Sequence, residues 1–222
     1  MKMSSEACMF EKEADLTRYI LGLLPKYFKG ASQHLSFSVE VSVGGAIADM
    51  AAVLWDEPLF PPPPLSVRDS VLLSTLRRLG STRVDILEAR CGLHRGALRT
   101  GDLDRLEALG LVERGPGGRV TLATDWIQRI RVVAIEAKLR DWRSAIRQAQ
   151  RYLHFADEAF VALPHSTVQR MNGAFQIFNR TSIGLISVGP ELTVKVPAAP
   201  SLEHDWRREF TASRLLAGRT TC

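Results

Sequence analysis

Three carboxylates and one lysine occupy places where a folded chain ought to carry apolar side chains. Asp49 sits inside AIADMAAV, Glu136 and Lys138 inside VVAIEAKL, and Glu13 at the head of an amphipathic segment. A buried carboxylate without a partner is costly, so each of these groups needs a counter-charge, a metal ion or a shifted pKa. Glu136 and Lys138 stand two apart on a strand, which places both on one face. Together they can hold a divalent cation through oxygen and set an ammonium beside an attacking water, with Asp49 on a neighbouring strand as the second oxygen ligand. That is the equipment of metal-assisted phosphodiester hydrolysis. The same groups would also satisfy one another as a structural ion-pair cluster. Glu13, with Glu11 as its competitor, would equally serve as a first-turn acid on a helix dipole.

The surrounding pattern says which elements must position these groups. Residues 10–28 (FEKEADLTRYILGLLPKYF) set Phe10, Ala14, Ile20 and Leu24 at helical spacing with acids in the first turn, and the spacing predicts a helix. From Leu35, LSFSVEVSV alternates apolar and polar residues, then come Gly44-Gly45 and the apolar run AIADMAAVLW. Two strands joined at a glycine turn are expected. DEPLFPPPP (56–64) holds five prolines in nine residues and reads as a linker. Residues 65–125 then give helix, helix, turn, helix and a short hairpin with PGG at its tip. From Trp126 the chain returns to α/β character: RIRVVAIEAKL as a strand, DWRSAIRQAQRYLHFA as a helix, EAFVALP as a buried strand. STVQRMNGAFQIFNR is predicted as one helix, GLISVG and LTVKVPA as strands. Residues 201–222 form an arginine-bearing tail, helical around HDWRREFTASRLLAG, with no assignable role.

Taken in order, these residues resemble the PD-(D/E)XK nuclease superfamily, the restriction-endonuclease-like fold. The likeness covers residues 10–55 and 126–196. It rests on an acid on the opening helix (Glu13), a hairpin whose second strand bears Asp49, a strand with E-x-K (Glu136, Lys138), and a helix with Gln148 and Tyr152 in QAQRY. The resemblance implies an α/β fold with an αβββαβ core and a mixed central sheet. It also implies Mg2+ (or Mn2+) as cofactor held by Asp49 and Glu136, with Lys138 polarising water or phosphate and Glu13 and Gln148 in support. Ala48 replaces the proline of the family's nominal motif. The core, residues 1–60 and 126–222, is discontinuous. Residues 65–125, with LxxLEALGLVER running from a third helix into a first wing strand, resemble a winged helix-turn-helix inserted into it.

A winged helix would put His94, Arg95 and Arg99 near the start of its recognition helix and Arg114 and Arg119 beside the wing tip, where base edges and phosphates are reached. Arg143, Arg147 and Arg151 add a stripe at i, i+4, i+8 that serves either as a solvated face or as a phosphate track. Yet residues 65–125 hold ten arginines against eight acids, so that unit is only +2, and the whole chain is +5. The expected activity is metal-dependent (endo)nuclease action on DNA more than RNA, with the inserted unit positioning the nucleic acid. The alternative is a non-catalytic DNA-binding or regulatory protein on a nuclease-like scaffold, or a unit that docks another protein. A homodimer is expected if both strands are cut.

Composition bounds the rest. With 45% hydrophobic and 24% charged residues in a chain of 222, a disordered, collagen-like or coiled-coil protein is excluded. Three dispersed cysteines (Cys8, Cys91, Cys222) offer neither a disulfide framework nor zinc-ligand spacing. No serine or cysteine sits in a nucleophile elbow, so acyl-transfer chemistry has no support. Asp49 interrupts the longest apolar run and the N-terminus has no apolar signal region, so no membrane span and a cytoplasmic location are expected.

Overall fold

Leu16, Ile20, Leu24 and Phe28 recur every four residues and are all buried, which gives α1 (Glu13–Phe28) a single apolar stripe to lay on a sheet. The computed structural model describes residues 10–28, 33–56, 62–94, 96–98, 100–171, 173–201 and 205–218. Arg95 and Arg99, both ends of the chain and most of the proline-rich linker lie outside the described residues.

The alternating segment forms β1 (Gln33–Val43), and the apolar run after it forms β2 (Ala46–Asp56). They pair antiparallel through the Gly44-Gly45 turn, where both residues have positive φ (56° and 84°). That is the two-residue geometry that matches strand twist and that glycine adopts without cost. β6 (Ile130–Ala137) adds antiparallel to β2, and β7 (Glu158–Pro164) and β8 (Gly184–Val188) follow in parallel. β9 (Leu192–Val196) closes the sheet antiparallel, for the order β1-β2-β6-β7-β8-β9. The fold is therefore α/β with a mixed six-stranded sheet, drawn from both sides of the 65–125 segment.

Helices cover both faces. α1 packs on one side against Met50, Leu54, Val133, Ile135 and Phe160. On the other side lie α5 (Trp142–Tyr152), α7 (Phe175–Thr181) and α8 (Trp206–Ala217), over Val53, Val132, Ala134 and Val161. β6 is buried on both faces, which explains its nearly unbroken apolar run.

Residues 65–125 hold α2 (Val67–Leu79), β3 (Thr82–Arg83), α3 (Val84–Arg90), α4 (Thr100–Ala108), β4 (Val112–Gly115) and β5 (Arg119–Leu122). Their three strands make a second sheet in the order β3-β5-β4. Ser66 and Asp69 cap α2 reciprocally, Ser66 Oγ accepting from Asp69 N at 3.1 Å and Asp69 Oδ2 accepting from Ser66 N at 2.8 Å. The same Asp69 is paired with Arg105 of α4; burial pushes its carboxyl up, but Arg105 and the two Ser66 hydrogen bonds together outweigh burial and hold it below the usual range. α2 packs on α8, so the tail with no role readable in the sequence joins this segment to the large sheet.

Three element boundaries differ from the sequence reading. The helix expected over 166–180 is two short ones, α6 (His165–Gln169) and α7, because the chain turns at Gly173 with φ +73°. The second helix of the inserted segment begins as the short strand β3, and the third starts at Thr100, beyond Gly96 with φ +78°. Among the described residues no helix is long and apolar enough to cross a membrane.

Candidate active site

The ladder between β2 and β6 ends at the pair Met50–Ile135, and there a side chain takes over. Asp49 Oδ2 accepts the Ala137 N–H at 2.8 Å, a bond the carboxylate can make because the strands splay at this point. Directly behind, Glu136 is 2% exposed and points at α5, where the Tyr152 hydroxyl meets its Oε2; that hydroxyl also lies 2.7 Å from the Ile47 carbonyl. Lys138, just past the end of β6, is half-buried with its side chain 18% exposed. It places Nζ 2.9 Å from Glu136 Oε1 and 3.2 Å from Glu13 Oε2. The α1 acid, the hairpin acid and the E-x-K pair are thus brought to one place.

The electrostatics follow from the crowding. Burial pushes the Asp49 carboxyl up; the Ala137 N–H and Lys138 oppose this, while Glu13 and Glu40 add to it. Glu136 is likewise raised by burial and by Asp49, against Tyr152 and Lys138. Burial alone would lower Lys138, but its carboxylate neighbours, Glu136 first, raise it on balance. Tyr152 is pushed up by burial and by the carboxylate it contacts. Two partly desolvated carboxylates that repel each other beside one ammonium form a site that gains from a further positive charge.

Among the described residues no three His, Cys, Asp or Glu side chains gather in a metal-binding group. A two-carboxylate donor set is what a Mg2+ ion accepts, since it keeps several waters and takes one or two carboxylates with substrate phosphate oxygens. Asp49 and Glu136 fit that requirement. Gln148, on the same helix as Tyr152, is half-buried and its Oε1 is buried without a hydrogen-bond partner, an acceptor held ready near the site.

A further residue at this site escaped the sequence reading. Glu40 falls where the β1–β2 ladder skips a step, between the pairs Val39–Met50 and Val41–Ala48, the same gap that holds Asp49 on the other strand, and it has φ +50°, a left-handed conformation uncommon for a non-glycine residue. With Glu13, Thr17, Arg18, Val39 and Asp49 it lines a cleft of about 360 Å³ between α1 and the hairpin. In an alternating strand pattern Glu40 is simply one more outward polar residue, so no signal marked it.

The described residues expected to contact nucleic acid stand on two separate parts of the chain, the 65–125 segment and α5. His94 is exposed on the turn between α3 and α4, a turn pinned by the buried Glu88 carboxylate accepting from Gly96 N at 2.9 Å and Leu98 N at 2.8 Å. Arg114 is paired with Asp104 and Glu107, and Arg119 donates to the Ser81 carbonyl at 2.9 Å. Arg143 and Arg147 are exposed on α5, with Arg143 stacked on Trp142 at 4.2 Å.

Removing the charge at Asp49 gives the first expected outcome. In metal-free solution at pH 7, Asp49→Asn melts above the wild type, because the amide oxygen still accepts the Ala137 N–H while the penalised charge is gone. The sign is set by a folded-state pKa above the ordinary 3.8. As pH falls through that raised value the wild-type carboxyl takes up its proton, so the difference in melting temperature must shrink. A variant that melts below the wild type across this window contradicts the assignment of a strained charge.

No protein-family model, curated protein or solved structure matches the chain.

Proposed function

We propose that the protein is a metal-dependent nuclease of the PD-(D/E)XK type that hydrolyses phosphodiester bonds in DNA. The observation that carries this reading is the convergence, where β2 and β6 splay, of Asp49, Glu136 and Lys138 from segments some ninety residues apart in the chain. The order α1, β1, β2, β6, α5, β7 supports a restriction-endonuclease-like core. The order α2, β3, α3, α4, β4, β5, with its three-stranded sheet, supports an inserted winged helix.

Asp49 and Glu136 would hold Mg2+ or Mn2+, which when bound supplies Lewis-acid charge stabilisation at the phosphate and acidifies a water. The remaining work belongs to the protein. Lys138 presents an ammonium, fixed by Glu136 and Glu13, to the attacking water and to the charge that develops on the phosphate oxygens. Tyr152 holds Glu136 in one orientation, as an outer partner of a ligand does. Gln148 offers its unpaired oxygen to a water or sugar hydroxyl beside the reacting group.

The test is a labelled-DNA cleavage assay across Mg2+, Mn2+ and Ca2+, with EDTA as the blank. Cleavage in Mg2+ or Mn2+ that EDTA abolishes is expected. DNA binding with no cleavage in any metal would overturn the catalytic reading in favour of a recognition protein, in which Lys138 with Glu13 and Glu136 is only a structural ion-pair cluster.

A further inference from the structure

The arginines of this chain fall into two populations. In the inserted segment five of the eight described arginines are tied to carboxylates of the same segment or of α8: Arg68 to Asp102, Arg77 to Asp125 and Glu209, Arg83 to Asp85, Arg105 to Asp69, Arg114 to Asp104 and Glu107. The exposed positions of α4 include Asp104 and Glu107, so its outward face repels phosphate as much as it attracts it.

On α5 the arrangement is reversed. Arg143, Arg147 and Arg151 are all exposed, no acid lies between Trp142 and Tyr152, and Arg140 is exposed on the loop that leads in from Lys138. The one acid beside them, Asp141, is engaged in capping, its Oδ1 accepting from Ser144 N at 3.0 Å. Spacing by four residues sets successive arginines about 6 Å apart along the helix, a step comparable to that between neighbouring phosphates of a strand. Gln148 and Tyr152 follow Arg147 and Arg151 by one residue, about 100° round the helix toward the sheet, and Tyr152 touches Glu136. The row begins at Arg140, two residues past Lys138, so a strand that follows it starts beside the carboxylate–lysine cluster.

We infer that α5, with Arg140 ahead of it, is the track that holds the sugar–phosphate backbone of the DNA. This rests on the nuclease reading and moves the main electrostatic contact from the inserted segment to the core. Guanidinium groups suit the task, since their planar fork can take two phosphate oxygens at once.

The experiment measures binding of a short fluorescein-labelled single-stranded DNA by anisotropy, in EDTA, over a range of KCl. Arg143→Ala/Arg147→Ala/Arg151→Ala is expected to bind about 10–100-fold more weakly at low salt. Its slope of log K against log salt should be shallower by about 2, since each lost single-strand phosphate contact is worth about 0.7. Arg143 also packs on Trp142, so Arg147→Ala/Arg151→Ala is run beside it and should lose about two thirds of that slope. Arg78→Ala/Arg90→Ala, on exposed positions of the inserted segment, should keep wild-type affinity and slope. A wild-type slope in the α5 variants, or an equal loss in Arg78→Ala/Arg90→Ala, overturns the track. Because EDTA separates binding from turnover, cleavage by the wild type with an unchanged slope in the α5 variants defeats the track alone. Track-dependent binding without cleavage in any metal supports the track and defeats the nuclease reading alone.

Discussion

Replacing Lys138 by alanine is expected to slow DNA cleavage by about 10²–10³-fold, roughly 3–4 kcal/mol of transition-state stabilisation. The size follows from preorganisation. The ammonium is half-buried and held from two sides, 2.9 Å from Glu136 and 3.2 Å from Glu13, so it needs no reorganisation as charge develops on the phosphate. The loss should fall on kcat more than on KM, because the lysine is asked to stabilise charge that appears only in the transition state. Combining Lys138→Ala with Asp49→Asn should cost little more than the worse single change, since the residues of one centre act as a unit. Full additivity of the two losses would show that they serve separate purposes.

Replacing Arg208 by methionine is expected to lower stability by about 3–4 kcal/mol and the melting temperature by roughly 6–15 °C. Arg208, on α8, is 6% exposed. Its guanidinium donates to the Ile127 and Ile130 carbonyls, both at 3.1 Å, and to Asp157 Oδ2 at 2.9 Å, an oxygen that also accepts Val132 N at 2.7 Å. One side chain therefore ties the turn that leads into β6 (126–129), the start of β6 and the residue before β7 to the last helix. Methionine fills the volume of the stem but takes one donor from each of the two carbonyls and removes the positive charge that faces Asp157, and that imbalance makes the loss large. A thermal melt displaced by less than about 2 °C would contradict this role for the guanidinium.

The parts of the fold legible in the sequence are those where pattern and burial coincide. The β1–β2 hairpin was readable because alternation ended at Gly44-Gly45, and β6 because its apolar run was broken only by Arg131 near its start and Glu136 near its end. Residues that depend on distant partners were not readable. Arg208 and Glu209 look like the solvated face of a tail helix, yet both are buried, because Asp157 and Arg77 come from segments far away in the chain. Burial still pushes the Glu209 carboxyl up despite Arg77 beside it. The +2 charge of residues 65–125 could not show that five of its eight described arginines are already paired. Glu40 was invisible because alternation reports a face and carries no information about φ.

At the candidate site, the sequence marked Glu13, Asp49, Glu136, Lys138 and Gln148 through residue types that are out of place in buried strands, or through order along the chain. It could not show that Asp49 spends one oxygen on the Ala137 N–H. Nor could it show that Tyr152 meets Glu136, since both facts depend on where β2 and β6 part.

The central claim is that Asp49, Glu136 and Lys138 form one metal-dependent hydrolytic centre. Its most direct test is to incubate supercoiled DNA with the wild-type protein and with Lys138→Ala, each in Mg2+ and in EDTA, and follow nicking on a gel. Nicking by the wild type in Mg2+ alone, slowed at least a hundredfold in Lys138→Ala, is the expected result. Nicking that proceeds at the wild-type rate without Lys138, or that persists in EDTA, would contradict it.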